Sequence, residues 1–294
     1  MSASLTVLVT GATGHLGTAV CEALIAAGHR VKATDRKYVK DFPIKPILGD
    51  LLDEHFVYGV VEGCDAVVHL GNHPNLFSGP SPQQTPFGQR AYERKRVLGR
   101  NAYRCSKLVF ASSVQVMLRS NGGKREAPFR LPYLPLDGNA PTDPGTNTYA
   151  LSKEVGERAL QVLCEIIPIF AQRRFVSPCF HAHLGWRISR QSKITLPGWL
   201  NIGECMTHLM TPDAGVLVAK CLDRPKPGYR QYFPALAMRL RGHTTQDLYR
   251  EHYSHVPLRC PLEELTELVD LPALKRDFDF EPSDRIEIDV QTPT

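Results

Sequence analysis

Leu5-Thr6-Val7-Leu8-Val9-Thr10-Gly11-Ala12-Thr13-Gly14-His15-Leu16-Gly17 is an apolar run that breaks into a G-x-x-G-x-x-G array. Beyond it, Leu16, Ala19, Val20, Ala23, Leu24 and Ala27 recur at i, i+3, i+4, i+7, i+8 and i+11, and Gly28 follows as a stop. The spacing predicts a strand over Leu5–Val9, a glycine turn, and an amphipathic helix whose apolar stripe packs on the sheet. Glycine triplets arise in structural turns too, but the order strand, turn, helix is what a phosphate-binding turn requires. Glycine allows the tight bend and the close approach of backbone to a pyrophosphate, while free N–H groups and the helix dipole favour an anion there. Gly11, Thr13, Gly14, His15, Leu16 and Gly17 are therefore the expected dinucleotide contacts.

Outward from this turn, Val31–Thr34, Pro46–Leu48, Ala66–Leu70 and Leu108–Ala111 read as further strands separated by helical patterns. Such alternation predicts an α/β chain with a doubly wound parallel-sheet Rossmann fold. Five prolines between Pro128 and Pro144 mark a loop that cannot donate a regular ladder, and a helix restarts near Asn147. Thr211-Pro212-Asp213 starts another. With 294 residues, the chain is long enough for a nucleotide-binding domain over 1–175 and a smaller, intertwined C-terminal substrate lobe over 176–294.

Asp35 closes the second strand eighteen residues after Gly17, where a carboxylate can accept from both hydroxyls of an adenosine ribose. That favours NAD. Arg36 beside it could instead meet a 2′-phosphate, which keeps NADP as the alternative. Asp50, followed by Leu51, stands where it could reach the adenine edge or simply cap a turn. Leu70 and Gly71, at the end of the fourth strand, would line the cofactor with backbone.

Bulk composition removes other classes. At 43% hydrophobic and 22% charged the chain is ordinary for a globular protein. No stretch reaches about 18 uncharged apolar residues, because Glu165 and Pro168 interrupt the segment Leu160 to Phe170. The N-terminus has no basic leader pattern, and eight cysteines lie without a CxxC pair, so a cytoplasmic location with reduced, structural thiols is expected. The net charge of +5 is mild. Its concentration in Arg90, Arg94, Lys95, Arg96, Arg100, Arg104 and Lys107 reads as a solvated or subunit-facing helix rather than a nucleic-acid surface. His69 and His73, like His181 and His183, have no acidic or cysteine partner placed to complete a site, and no metal is expected.

In Tyr149-Ala150-Leu151-Ser152-Lys153 the phenol and the ammonium are four residues apart at a helix start, on one face. A free phenol, with a pKa of about 10, is a poor base at neutral pH, but an adjacent cation favours the phenolate. The pair alone is common on helix surfaces.

Together with the glycine turn, however, Gly49-Asp50-Leu51, Asp65-Ala66-Val67-Val68-His69-Leu70, Phe110-Ala111-Ser112-Ser113 and Tyr149-Ala150-Leu151-Ser152-Lys153 give the chain an order that resembles the extended short-chain dehydrogenase/reductases, the NAD-dependent epimerase/dehydratase family. The resemblance covers residues 5 to about 160. It implies Tyr149 as general acid/base, Lys153 holding the nicotinamide ribose and lowering the tyrosine pKa, and Ser113, rather than its neighbour Ser112, polarising the substrate oxygen. It also implies a homodimer paired through helices near 90–104 and 147–163.

Departures from the family text are specific. Arg96 stands where an asparagine is usual, and the chain is about seven residues short before Phe110, two turns of helix. Val116-Met117-Leu118 replaces Val-Tyr-Gly, and Arg173-Arg174-Phe175 replaces the usual substrate strand; Arg174 is the candidate substrate contact there. The expectation is an epimerase or dehydratase acting on a nucleotide-sugar. A sugar or uronate dehydrogenase is the alternative, and a non-catalytic NAD(P)-sensing regulator the alternative from another class.

Overall fold

The computed structural model describes residues 3–71, 105–117, 131–166, 207–237, 239–240, 242–283 and 287–288. Five strands form one parallel sheet: β1 (Thr6–Thr10), β2 (Arg30–Asp35), β3 (Ile47–Leu48), β4 (Ala66–His69) and β5 (Lys107–Phe110). Their order, β3-β2-β1-β4-β5, places the chain's first strand between neighbours that were added in opposite directions. The five expected strands are therefore all present, each with one or both ends displaced by one residue.

Alternation along the strands sorts the helices onto two faces. Val7, Val9, Ala33, Ala66, Val68 and Val109 point to one face, where they meet Val20, Cys21 and Leu24 of α1 (His15–Ala26). Leu8 and Val67 point to the other, against Phe56 and Val60 of α2 (Glu54–Val61). On that same second face Leu108 and Phe110 receive Leu160 and Leu163 of α3 (Thr148–Ile166). The sheet is covered on both sides, as a doubly wound fold requires.

The predicted helix start at Thr211 opens α4 (Thr211–Asp223), with Pro212 in its first turn. It lies along α1, and the contact is closer than side chains normally permit. A Cβ on Gly215 would stand 2.5 Å from the Ala19 carbonyl oxygen, so glycine is what lets the two backbones meet.

A second apolar cluster joins distant parts of the sequence. Val114, Val116 and Met117 follow β5, Leu131, Leu134 and Leu136 come from the proline-rich loop, and Phe233, Leu248, Tyr253 and Leu268 come from the last third. Backbone bonds tie it together: Leu134 N–H donates to the Pro257 carbonyl and Leu136 N–H to the Leu268 carbonyl, each at 2.9 Å. The proline loop thus pairs at single points rather than as a ladder.

Candidate active site

The carboxyl ends of β1 and β4 meet at the point where strand order reverses, the position at which such sheets bind ligands. Gly11 leaves β1 with φ +66, and Gly71 leaves β4 against it. Thr10 locks the pair: its hydroxyl oxygen accepts from Gly71 N–H at 3.2 Å and is hydrogen-bonded to His69 Nδ1 at 2.8 Å. His69 in turn stacks on Phe110 of β5, its ring centroid 5.9 Å away.

The glycine turn has the form of an anion cradle. A Cβ on Gly17 would lie 2.2 Å from the Gly11 carbonyl oxygen, so a side chain there would push the helix start off the turn. Gly14 caps α1 without a side-chain bond, and the first turn carries no acidic residue. Its N–H groups and the positive end of the helix dipole face no competing carboxylate from that turn.

Asp35 is placed where the sequence puts it, at the end of β2 and beside that turn. One carboxylate oxygen accepts from Thr13 N–H at 3.1 Å and the other from Arg36 N–H at 2.7 Å. Half-buried and fixed by two backbone donors, it has lone pairs left over for ribose hydroxyls. Arg36 is exposed beside it. Asp50 accepts from Leu52 N–H at 2.9 Å, which gives it the turn-capping contact; Leu51 approaches Gly71, its side chain 2.8 Å from where a Cβ would stand. The residues present therefore fit a dinucleotide along the sheet edge.

At the end of β5 the chain bends into a 3-10 turn, Val114–Met117. Asn147 caps α3, its side-chain oxygen accepting from Tyr149 N–H and Ala150 N–H, both at 3.1 Å. The same side chain donates to Gln115 at 3.3 Å. The helix start that presents Tyr149 is thus tied to the turn that follows Ser113. Lys153 lies one helical turn on, buried, and donates to the Ala111 carbonyl at 2.7 Å. Its ammonium stands 5.8 Å from the Tyr149 ring centre and 5.0 Å from that of Phe110.

The two serines have different partners. Ser113, fully buried, accepts from Gln115 N–H at 3.2 Å and keeps its own proton to donate. Ser112 donates to the carboxylate of Glu157. Sequence reasoning missed Glu157, as it missed Thr10 and Asn147's tie to Gln115. A helical-face reading was available for the first, since Tyr149, Lys153 and Glu157 repeat every four residues; a hydroxyl directly before the first glycine was the signal for the second.

Arg96, Arg174, His73, His181 and His183 lie outside the described residues. Among the described residues no group of three His, Cys, Asp or Glu is gathered as for a metal, and no helix is long and apolar enough to cross a membrane.

A family model described as NAD dependent epimerase/dehydratase matches residues 7–166. A curated 2-alkyl-3-oxoalkanoate reductase from Shewanella oneidensis is 27% identical over 158 residues, 52% of this chain and 37% of that protein. A protein of the same name from Stenotrophomonas maltophilia is 41% identical over 68 residues, 22% of this chain and 21% of that protein. The chain thus spans only about a fifth to a little over a third of the curated relatives it matches. Among solved structures, UDP-glucose 4-epimerase from Bifidobacterium longum in complex with NAD+ and UDP superposes with a TM-score of 0.61 at 17% identity, over 95% of this chain and 93% of that one. At that identity the likeness speaks for the fold.

Proposed function

The chain belongs to the NAD dependent epimerase/dehydratase family, and on that premise we propose that it is a cytoplasmic NAD-dependent enzyme that moves a hydride at a carbinol carbon of a sugar or nucleotide-sugar, as an epimerase or dehydratase. The observation that carries this reading is the grouping at the end of β5. Tyr149, Lys153 and Ser113 are held together by Asn147, Gln115 and the Ala111 carbonyl, next to a sheet edge suited to a dinucleotide.

NAD, when bound, supplies the acceptor for the hydride. The protein's own residues handle the proton. Tyr149 takes it from the substrate hydroxyl, and the Lys153 ammonium steadies the phenolate that performs this. Ser113 donates its hydroxyl proton to the substrate oxygen. His15, Leu16 and Gly17 offer backbone N–H groups to the pyrophosphate, while Gly11, Thr13 and Gly14 shape the turn around it, the Thr13 N–H holding Asp35 and the Gly14 N–H closing on the Gly11 carbonyl. Asp35 selects the ribose diol of NAD over a 2′-phosphate, Arg36 flanks it, and Asp50, Leu51, Leu70 and Gly71 line the rest of the groove. Arg174 is assigned to substrate phosphate, residues 176–294 to a substrate lobe intertwined with the nucleotide-binding part through α4 on α1, and the working unit to a homodimer.

A second reading, net interconversion of an alcohol and a ketone with release of the reduced or oxidised coenzyme, is favoured by the reductase names of the curated relatives. A substrate panel decides between them. Nucleotide-sugars, free uronic acids and β-keto acids are incubated with the protein and NAD or NADH, and both product and net change in reduced coenzyme are recorded. Conversion without net change supports the first reading and net change the second. Coenzyme binding without turnover of any compound supports a sensor and overturns both.

A further inference from the structure

Glu157 is a carboxylate where helices of this depth usually carry an apolar residue. It is 4% exposed and lines a small pocket with Val116, Met117 and Phe233. Both its oxygens are engaged. Ser112 donates to Oε1, and Gln231 Nε2, itself 2.6 Å from the Tyr229 hydroxyl, approaches Oε2 at 3.4 Å. Burial pushes the carboxyl up to about 7; the Ser112 bond and the Lys153 charge oppose that push, and Glu154 adds to it. The charged neighbours, Lys153 and Glu154, are on its own helix; the segment after β5 presents Ser112, and the 229–233 segment presents Gln231, Tyr229 and Tyr232, whose hydroxyl is turned to Asp277.

Keeping such a group is costly unless it is satisfied, and an apolar residue would fill the space at no desolvation penalty. What the carboxylate does that an apolar residue cannot is grip a hydroxyl. Ser112 adjoins both Ser113 and Ala111, and Ala111 carries the carbonyl that receives Lys153. Glu157 and Lys153 are one helical turn apart on α3. Two parallel ties therefore join the end of β5 to α3, from Lys153 to Ala111 and from Ser112 to Glu157.

We propose that Glu157 is a positioning residue: through Ser112 it fixes the β5 end against α3, and so sets Ser113 in register with Tyr149 and Lys153. The inference deepens the proposed hydride-transfer site and rests on that reading. Glu157 does not touch substrate; it acts through Ser112. Its loss lets the serine end slide relative to the helix, which weakens interactions that matter at the moment of transfer more than ground-state binding.

The test is a double-substitution cycle of Ser112→Ala and Glu157→Ala, with Glu157→Gln as the isosteric control whose amide oxygen still accepts from Ser112. Readouts are kcat and KM on the substrate that the panel identifies, coenzyme affinity by titration, and the pH midpoint of the Glu157 carboxyl absorption in the infrared. Each alanine variant is expected to lower kcat about tenfold with KM changed less than about threefold, and the pair together no more than the worse single variant. Glu157→Gln keeps kcat within about threefold. In Ser112→Ala the carboxyl midpoint moves to higher pH, because a donor to the ionised form is lost.

Multiplication of the two losses to about a hundredfold overturns the proposal, as does full kcat in Glu157→Ala, a glutamine variant as poor as alanine, or an unmoved carboxyl midpoint. Should Glu157→Ala not fold, the Ser112→Ala and Glu157→Gln arms decide alone. Wild-type protein that binds no NAD sinks the proposed function instead, and the infrared arm still tests the Ser112–Glu157 tie.

Discussion

Lys153 donates to the backbone carbonyl of Ala111 across 2.7 Å, so the helix that carries Tyr149 is pinned to the segment that leaves β5 through Ser112 and Ser113. This one bond makes the candidate acid/base, its cation and the serine a single unit. It also gives Lys153 a structural duty beside its electrostatic one. In the absence of that ammonium a buried carbonyl would lose its partner, at a cost of about 1–3 kcal/mol.

Tyr149→Phe removes the hydroxyl and leaves the ring. We expect turnover to fall by a factor of about a hundred or more, as for loss of a general acid/base, with coenzyme affinity within about threefold. Steady-state kinetics beside a fluorescence titration with NADH measures both. Retained activity would remove Tyr149 from the mechanism.

Asp35→Ala takes away the group that accepts from Thr13 and Arg36 N–H and that is assigned to the ribose. NAD affinity should drop about tenfold, equivalent to about 1.4 kcal/mol, and NADP affinity by less. Titrations with both coenzymes test this, and equal losses would undo the ribose assignment.

Gly17→Ala puts a methyl 2.2 Å from the Gly11 carbonyl oxygen. The turn must open to accept it, and overpacking of this kind costs about 1–3 kcal/mol. A lowered thermal midpoint together with lost coenzyme binding is expected. A variant as stable as wild type that still binds NAD would contradict the cradle geometry.

Glu157 makes stability depend on pH in a defined sense. Its folded carboxyl titrates near about 7 against 4.5 for the free side chain, so between those values the folded state holds a proton that the unfolded state has released. That contribution is fully present below pH 4.5, fades as pH rises through 7, and is on the order of 3 kcal/mol. Urea unfolding at pH 5 and pH 8 should show wild type losing more stability than Glu157→Gln by about that amount. Equal losses in the two proteins would contradict the buried, proton-holding carboxyl.

Much of the nucleotide half is legible in the sequence because its signals are local. The run Leu5 to Val9, the glycines at 11, 14 and 17 and the stripe from Leu16 to Ala27 each report on neighbours a few residues away, and the structure follows them with one-residue shifts. Asn147 marks the start of α3 for the same reason. The residues that organise the site from a distance are not legible in this way. Glu157 on a helix reads as a solvated charge; its burial depends on Ser112, 45 residues earlier, and Gln231, 74 residues later. The bonds from Leu134 and Leu136 to Pro257 and Leu268 likewise follow no periodicity, so the second apolar cluster could not be assembled from patterns along the chain.

The most direct measurement is calorimetric titration of the protein with NAD and, in parallel, with NADP. The account predicts saturable binding of one NAD per chain, tighter than NADP. No uptake of either coenzyme would contradict it.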